Sequence, residues 1–114
     1  MDSLSEMLKG VLEGMILQII DEGEVYGYEV VRRLTGMGFA GMTEGTVYTI
    51  FIRLEKNKLV QVTKKPSQLG PPRKFYRLNE RGVKELAAFW EKWTFLSDRV
   101  EVLRNGGVEN GNQS

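Results

Sequence analysis

Thr43-Glu-Gly-Thr-Val-Tyr-Thr-Ile-Phe-Ile-Arg-Leu-Glu-Lys-Asn57 decides the fold. Its apolar residues Val47, Ile50, Phe51 and Leu54 recur at i, i+3, i+4 and i+7, the spacing of one inward helical face. The stretch is long enough for about four turns. Thr43 suits the N-cap, and Glu44 suits the positive end of the helix dipole. Gly45, Thr49, Ile52 and Lys56 form the opposite face, flanked by Tyr48 and Arg53. Ile52 has no obvious core to join there. Hydroxyls, an aromatic ring and cations on one outward face have the chemistry to read a DNA groove. An ordinary surface helix has the same pattern, so the flanking sequence must decide between them.

On the C-terminal side, Leu59-Val-Gln-Val-Thr-Lys64 alternates apolar and polar residues, as does Arg73-Lys-Phe-Tyr-Arg-Leu78. The Pro- and Gly-rich segment 65–72 between them reads as a loop, so the three pieces make a β-hairpin. On the N-terminal side, Leu4 to Asp21 reads as one helix with a broad apolar stripe. Gly10 and Gly14 lie inside it, each costing about 1 kcal/mol relative to alanine. That cost is easier to accept where another helix or a ligand approaches closely. Tyr26 to Leu34 reads as a short second helix, with Val30, Val31 and Leu34 inward and Arg32 and Arg33 near its end. Gly36-Met-Gly38-Phe-Ala-Gly41 fits G-x-G-x-x-G, but no strand precedes it and no βαβ unit follows. It reads as an inter-helix turn. The order helix, helix, helix, strand, loop, strand is a winged helix-turn-helix, mainly α within the α+β class, with 43–57 as its third helix.

Charge singles out the hairpin. Seven of the chain's 16 basic residues lie between Lys56 and Asn79 with no acid among them. The other nine face all 15 acids, a net of −6. A basic segment on an acidic body suits a phosphate backbone, although a solvated lysine-rich hairpin has the same composition.

Composition excludes other classes. There is no cysteine and no histidine among the 114 residues. That removes thiolate chemistry, the usual zinc ligands and the commonest general base, so neither an enzyme nor a cofactor is expected. No apolar run approaches 18 residues, and the first residues lack a signal-peptide pattern, so a cytoplasmic location with no membrane partner is expected.

Asn79 caps a fourth helix running to about Arg104, roughly 39 Å long at 1.5 Å per residue. Val83, Leu86, Trp90, Trp93, Leu96, Val100 and Leu103 form its apolar stripe, widened by Phe89 and Phe95. A domain this small cannot cover such a helix alone. A second copy across a two-fold axis is the simplest cover, and packing back on the first helix is the alternative. The chain therefore divides into a winged helix at 1–78, a dimerisation helix at 79–104 and a Gly/Asn-rich tail at 105–114 expected to be disordered.

Gly45 to Val60, Arg73 to Gly82 and the Tyr26-Gly-Tyr segment together resemble the PadR family of bacterial transcriptional regulators, over roughly residues 5–104. The single C-terminal helix is similar to the smaller subfamily, which includes multidrug-responsive repressors. The resemblance implies a homodimer that sets two recognition helices in successive major grooves of double-stranded DNA. Thr46, Tyr48, Thr49, Ile52 and Arg53 would then face the groove, and Lys64, Lys65, Arg73 and Lys74 the phosphates. Tyr48 as a core or helix-packing residue is the alternative. It also implies a pore at the dimer centre that takes a small planar aromatic ligand. Its lining would be Met7, Gly10, Val11, Gly14, Phe89, Trp90, Trp93 and Ser97, with Trp93 stacking on the ligand or serving only as dimer core. Phe89 and Trp90 are bulkier than that pattern, and Ser97 stands where it has an acid, leaving Glu85 as the nearby carboxylate. The reading is a dimeric DNA-binding repressor relieved by such a ligand. A winged-helix protein-interaction module that binds no DNA is the competing class.

Overall fold

The computed structural model describes residues 3–107. Their order is α1 (Ser3–Leu8), α2 (Leu12–Asp21), β1 (Val25–Tyr26), α3 (Gly27–Gly36), α4 (Glu44–Lys56), β2 (Val60–Lys65), β3 (Arg73–Leu78) and α5 (Glu80–Arg104). This is a winged helix with a long C-terminal helix. Val47, Ile50, Phe51 and Leu54 of α4 are all buried, as their spacing requires. They meet Ile16, Leu17 and Ile20 of α2 and Val30 and Leu34 of α3 in one core. Phe51 stacks on Tyr76 of β3 with ring centres 4.0 Å apart, joining α4 to the sheet.

Two features depart from the sequence reading. The expected helix from Leu4 to Asp21 is broken in two. Gly10 adopts a φ of +85°, a left-handed conformation that glycine tolerates and that ends α1 before α2 begins. Leu4 and Met7 on α1 stay exposed, so burial does not oppose the break. The wing also has a third strand. Val25 and Tyr26 pair antiparallel with Tyr76 and Phe75, giving the order β1-β3-β2 with β3 central.

Local chemistry explains the helix ends. The segment Gly36–Gly41 is a helix terminator. Gly38 takes a φ of +102°, its N–H reaches the Thr35 carbonyl, and the Phe39 N–H reaches that of Leu34. The end of α4 repeats this motif with Lys58 at φ +59°. The Lys58 N–H donates to Glu55 O and the Leu59 N–H to Leu54 O.

Just beyond, α5 is fastened to α4. Asn79 Nδ2 donates to the Lys58 carbonyl at 2.8 Å, and the Asn79 N–H donates to that of Leu59 at 3.1 Å. Asn79 Oδ1 caps α5 by accepting from the Gly82 N–H at 2.8 Å. Gly82 lies so close to Leu59 that a Cβ would stand 2.1 Å from its carbonyl oxygen.

The first half of α5 packs on α2. The Phe89 ring occupies the space a Cβ on Gly14 would need, at 2.2 Å, and Trp90 Nε1 donates to Gln18 Oε1 at 2.9 Å. Packing onto the first long helix thus accounts for Leu86 and Phe89, while Val83 and Trp90 stay 49% and 42% exposed. Trp93, Phe95, Leu96, Val100 and Leu103 of the second half remain exposed. Asn105, Gly106 and Gly107 turn the chain out of α5. The rest of the expected disordered tail lies outside the described residues.

Helix propensity alone predicts that alanine at either Gly36 or Gly82 stabilises by up to about 1 kcal/mol. Nothing lies within 4 Å of a Cβ at Gly36, so Gly36→Ala should show that gain in urea unfolding. Gly82→Ala should instead lose about 2 kcal/mol through the collision with Leu59.

Candidate nucleic-acid interface

The outward face of α4 begins at its cap. Thr43 Oγ1 accepts from the Thr46 N–H at 3.2 Å, and the two threonine hydroxyls lie 3.2 Å apart. Thr49 Oγ1 donates to the Gly45 carbonyl at 2.9 Å, leaving its lone pairs outward as acceptors. Tyr48 and Ile52 are about half exposed, at 54% and 49%. Tyr48 is therefore not a core tyrosine. Arg53 is also on the surface, but its Nε donates to Glu13 Oε1 of α2 at 2.7 Å.

The wing brings its four expected cations into two rungs. Lys64 faces Lys74 and Lys65 faces Arg73 across the β2–β3 ladder. Like charges directly opposite are unfavourable, so each rung needs compensation. Lys65 forms an ion pair with Glu24, and its ammonium lies 4.8 Å from the Phe75 ring centre. Lys74 lies 3.6 Å from Glu55. The Arg73 guanidinium sits 4.6 Å from the ring centre of Tyr26. Lys64 makes no ion pair among the described residues. The acid-free stretch seen in the sequence is thus partly neutralised in space, by carboxylates from α4 and the α2–β1 connection.

Between α4 and the wing runs a cleft of about 800 Å³, lined by Tyr26, Tyr28, Glu44, Tyr48, Arg73 and Lys74 among others. Tyr26 and Tyr28 were given no site role by sequence reasoning. The signal was their spacing around Gly27, which puts Tyr26 on the sheet and an exposed Tyr28 in the first turn of α3. Behind the cleft Tyr76 is 3% exposed and its hydroxyl lies 3.5 Å from Glu55 Oε1. Burial, then the nearby Glu55 charge, push its pKa up to about 12.

The expected ligand-binding residues do not form one site within a single chain. Gly10, Gly14, Glu85 and Phe89 line a second cavity, of about 710 Å³, between the α1–α2 joint, the α3–α4 loop, α4 and α5. Met7, Val11, Trp90, Trp93 and Ser97 lie outside it. Gly14 is explained by the Phe89 ring, and Gly10 by its backbone conformation. Met7 is 76% exposed, Trp93 is 40% exposed, and the Ser97 hydroxyl donates to the Thr94 carbonyl at 3.3 Å. No group of histidine, cysteine or acidic side chains among the described residues could hold a metal. No helix among them is long and apolar enough to cross a membrane.

A capped helix with an outward polar face, beside a cationic wing, defines the winged-helix class of DNA-binding proteins. Residues 16–88 match the model of the transcriptional regulator PadR-like family, and the chain belongs to that family of regulators, which are not enzymes. It is 45% identical to a PadR-like transcriptional regulator from Bacillus cereus, with a TM-score of 0.76 over 86% of this chain and 95% of that one. A Streptococcus transcriptional regulator is 41% identical, with a TM-score of 0.77 over 86% and 96%. The fold also matches PadR of Bacillus subtilis, solved in complex with operator DNA. That likeness has 21% identity and a TM-score of 0.64, over 70% of this chain and 46% of that one.

Tyr76 gives this surface a measurable pH signature. Its raised pKa means the folded state favours the protonated phenol, so this contribution to stability is complete below pH 10 and lost as pH rises towards about 12. Ultraviolet titration should show one of the four tyrosines ionising only near pH 12, together with loss of stability. Tyr76→Phe should remove that late step and keep the stack on Phe51.

Proposed function

We propose that this chain is a homodimeric, sequence-specific DNA-binding repressor that a small planar aromatic ligand releases from its operator. The observation that carries the DNA reading is the exposed Tyr48–Thr49–Ile52 face of α4 beside the Lys64/Lys74 and Lys65/Arg73 rungs. In this reading α4 enters the major groove. The hydroxyls of Thr46 and Thr49 bond phosphates or base edges, Tyr48 reaches a phosphate, and Ile52 meets a thymine methyl. Arg53 contacts a phosphate or a guanine once it leaves Glu13. Lys64, Lys65, Arg73 and Lys74 hold the phosphates beside the minor groove. The Bacillus subtilis relative bound to operator DNA supports this use of the fold. Such a protein acts in the cytoplasm, where the chromosome is.

The dimer reading rests on α5. Trp93, Leu96, Val100 and Leu103 share one face and are 40% to 76% exposed. An apolar stripe of that length belongs against a second copy, arranged so that the same face serves both subunits. Residues 1–78 then form the DNA-binding unit and 79–104 the dimerisation unit. Ligand response would start at Trp93. Phe89 and Trp90 contact α2, Trp90 while staying 42% exposed, and the Trp93 ring lies on the exposed stripe further along α5. A planar molecule between Trp93 and its mate would favour one α5 angle over another, and only such a difference shifts the population. Met7, Val11 and Ser97 would flank that site in the dimer. Glu85, in the intra-chain cavity, would then take no part.

Binding of a duplex from the protein's own promoter, followed by fluorescence anisotropy, tests the DNA reading. Lys64→Ala with Arg73→Ala should weaken all duplexes alike and flatten the slope of log affinity against log salt by about 0.9 per lost cation. Ile52→Ala should relax the preference for the promoter sequence. The absence of any specific complex at moderate salt refutes the reading.

Sedimentation of Leu96→Glu should show a monomer where the parent protein is a dimer. Trp93→Ala should abolish both ligand-induced release and fluorescence quenching by planar aromatic cations. Release that persists in this variant would exclude Trp93 as the sensor.

A further inference from the structure

We propose that Glu13, Glu24 and Glu55 are resident competitors for the DNA phosphates, holding three of the DNA-facing cations in reserve and so setting how tightly the protein binds any duplex. The proposal rests on the reading of α4 and the wing as the DNA surface. It adds a function for three acids that no contact with DNA would suggest.

The geometry is the same at each site. Arg53 is held by Glu13, Lys65 by Glu24 and Lys74 by Glu55. In every pair the carboxylate is the less exposed partner. The side-chain exposures are 26% against 52%, 22% against 46%, and 35% against 40%. The acid is thus the better-fixed member, and the long cationic arm is the one free to swing. The partners of two pairs lie 40 and 41 residues apart in sequence, so these contacts are products of the fold and not of neighbouring residues. The other two of the four wing cations expected to meet phosphate differ. Lys64 makes no ion pair among the described residues, and Arg73 lies over the Tyr26 ring. Of the five cations of α4 and the wing expected to meet DNA, two are therefore open and three guarded.

The division changes the ion balance of binding. An open cation that meets a phosphate releases a condensed counter-ion from the DNA, which drives association at low salt. A guarded cation must first leave its carboxylate. The freed carboxylate then faces water and recruits a cation of its own, which cancels much of the release. Guarded positions therefore contribute less affinity and less salt dependence than their charge predicts. Where the released cation meets a phosphate, operator and random DNA are weakened by the same factor, because the competition precedes any reading of sequence. Residence on random DNA falls, while the ratio between the two is kept.

The test uses the full chain with Glu13→Gln, Glu24→Gln and Glu55→Gln, singly and combined. Affinity is measured by anisotropy on a promoter duplex and a random duplex between 50 and 200 mM salt. Each substitution should tighten both duplexes about threefold at the low-salt end and steepen the salt slope by up to about 0.9, with the triple variant near thirtyfold. Glu101→Gln removes the same charge at the far end of α5, where its partner is Arg104, and should change neither quantity appreciably. Circular dichroism confirms that each variant is folded. Triple-variant affinities and slopes equal to the parent's overturn the proposal, as does an equal gain from Glu101→Gln. Retention on heparin separates this failure from failure of the DNA reading. Later elution of the triple variant than of the parent and Glu101→Gln supports the guard even if no duplex binds, and equal elution overturns it.

Discussion

The contact between the end of α4 and the start of α5 is the constraint on which the rest depends. Asn79 spends its whole amide on it, donating to the Lys58 carbonyl and capping α5 through the Gly82 N–H. Gly82 lets the α5 backbone approach Leu59 more closely than any side chain would allow. Lys58 accepts a left-handed conformation so that the chain can reverse there at all. In the proposed dimer, the helix that would carry the subunit contacts is in this way joined at close range to the helix that would face DNA. A change in the angle of α5 has little slack to disappear into before it reaches α4.

The body of α4 is held by packing in addition to that joint. Phe51 stacked on Tyr76 fixes α4 against the central strand of the wing, and Leu54 and Val47 seal it to the body. The polar face and the cationic rungs are therefore parts of one rigid surface. The cations on it are not equivalent, because carboxylates from three separate segments reach them. Charge on this surface belongs to the fold and not to the local sequence.

That difference explains what could be read in advance. The α4 face, its Thr43 cap, the hairpin and the Asn79 cap depend on residues within a few positions of each other, so periodicity and capping chemistry reveal them. The strand at Val25–Tyr26 is too short for any alternation and exists only because β3 offers it an edge. The break at Gly10 was masked by a continuous apolar stripe, although the glycine itself was visible. The ion pairs of Arg53, Lys65 and Lys74 with Glu13, Glu24 and Glu55 depend on the tertiary fold, and a count of charges along the chain misses them. The family resemblance placed nine residues in one ligand site. Within a single chain they fall into a cavity group and a group outside it, and only a second subunit could reunite any of them at Trp93.

The most direct test of the coupling between α5 and α4 is a distance between the two recognition helices of a dimer. The chain has no cysteine, so Lys56→Cys, at the exposed end of α4, accepts a single spin label per subunit. On promoter DNA, pulsed electron resonance should give one narrow distance consistent with helices about 34 Å apart, one turn of the duplex. A broad distribution, or no dipolar signal from a second label, would contradict a rigid dimer whose long helix sets the spacing.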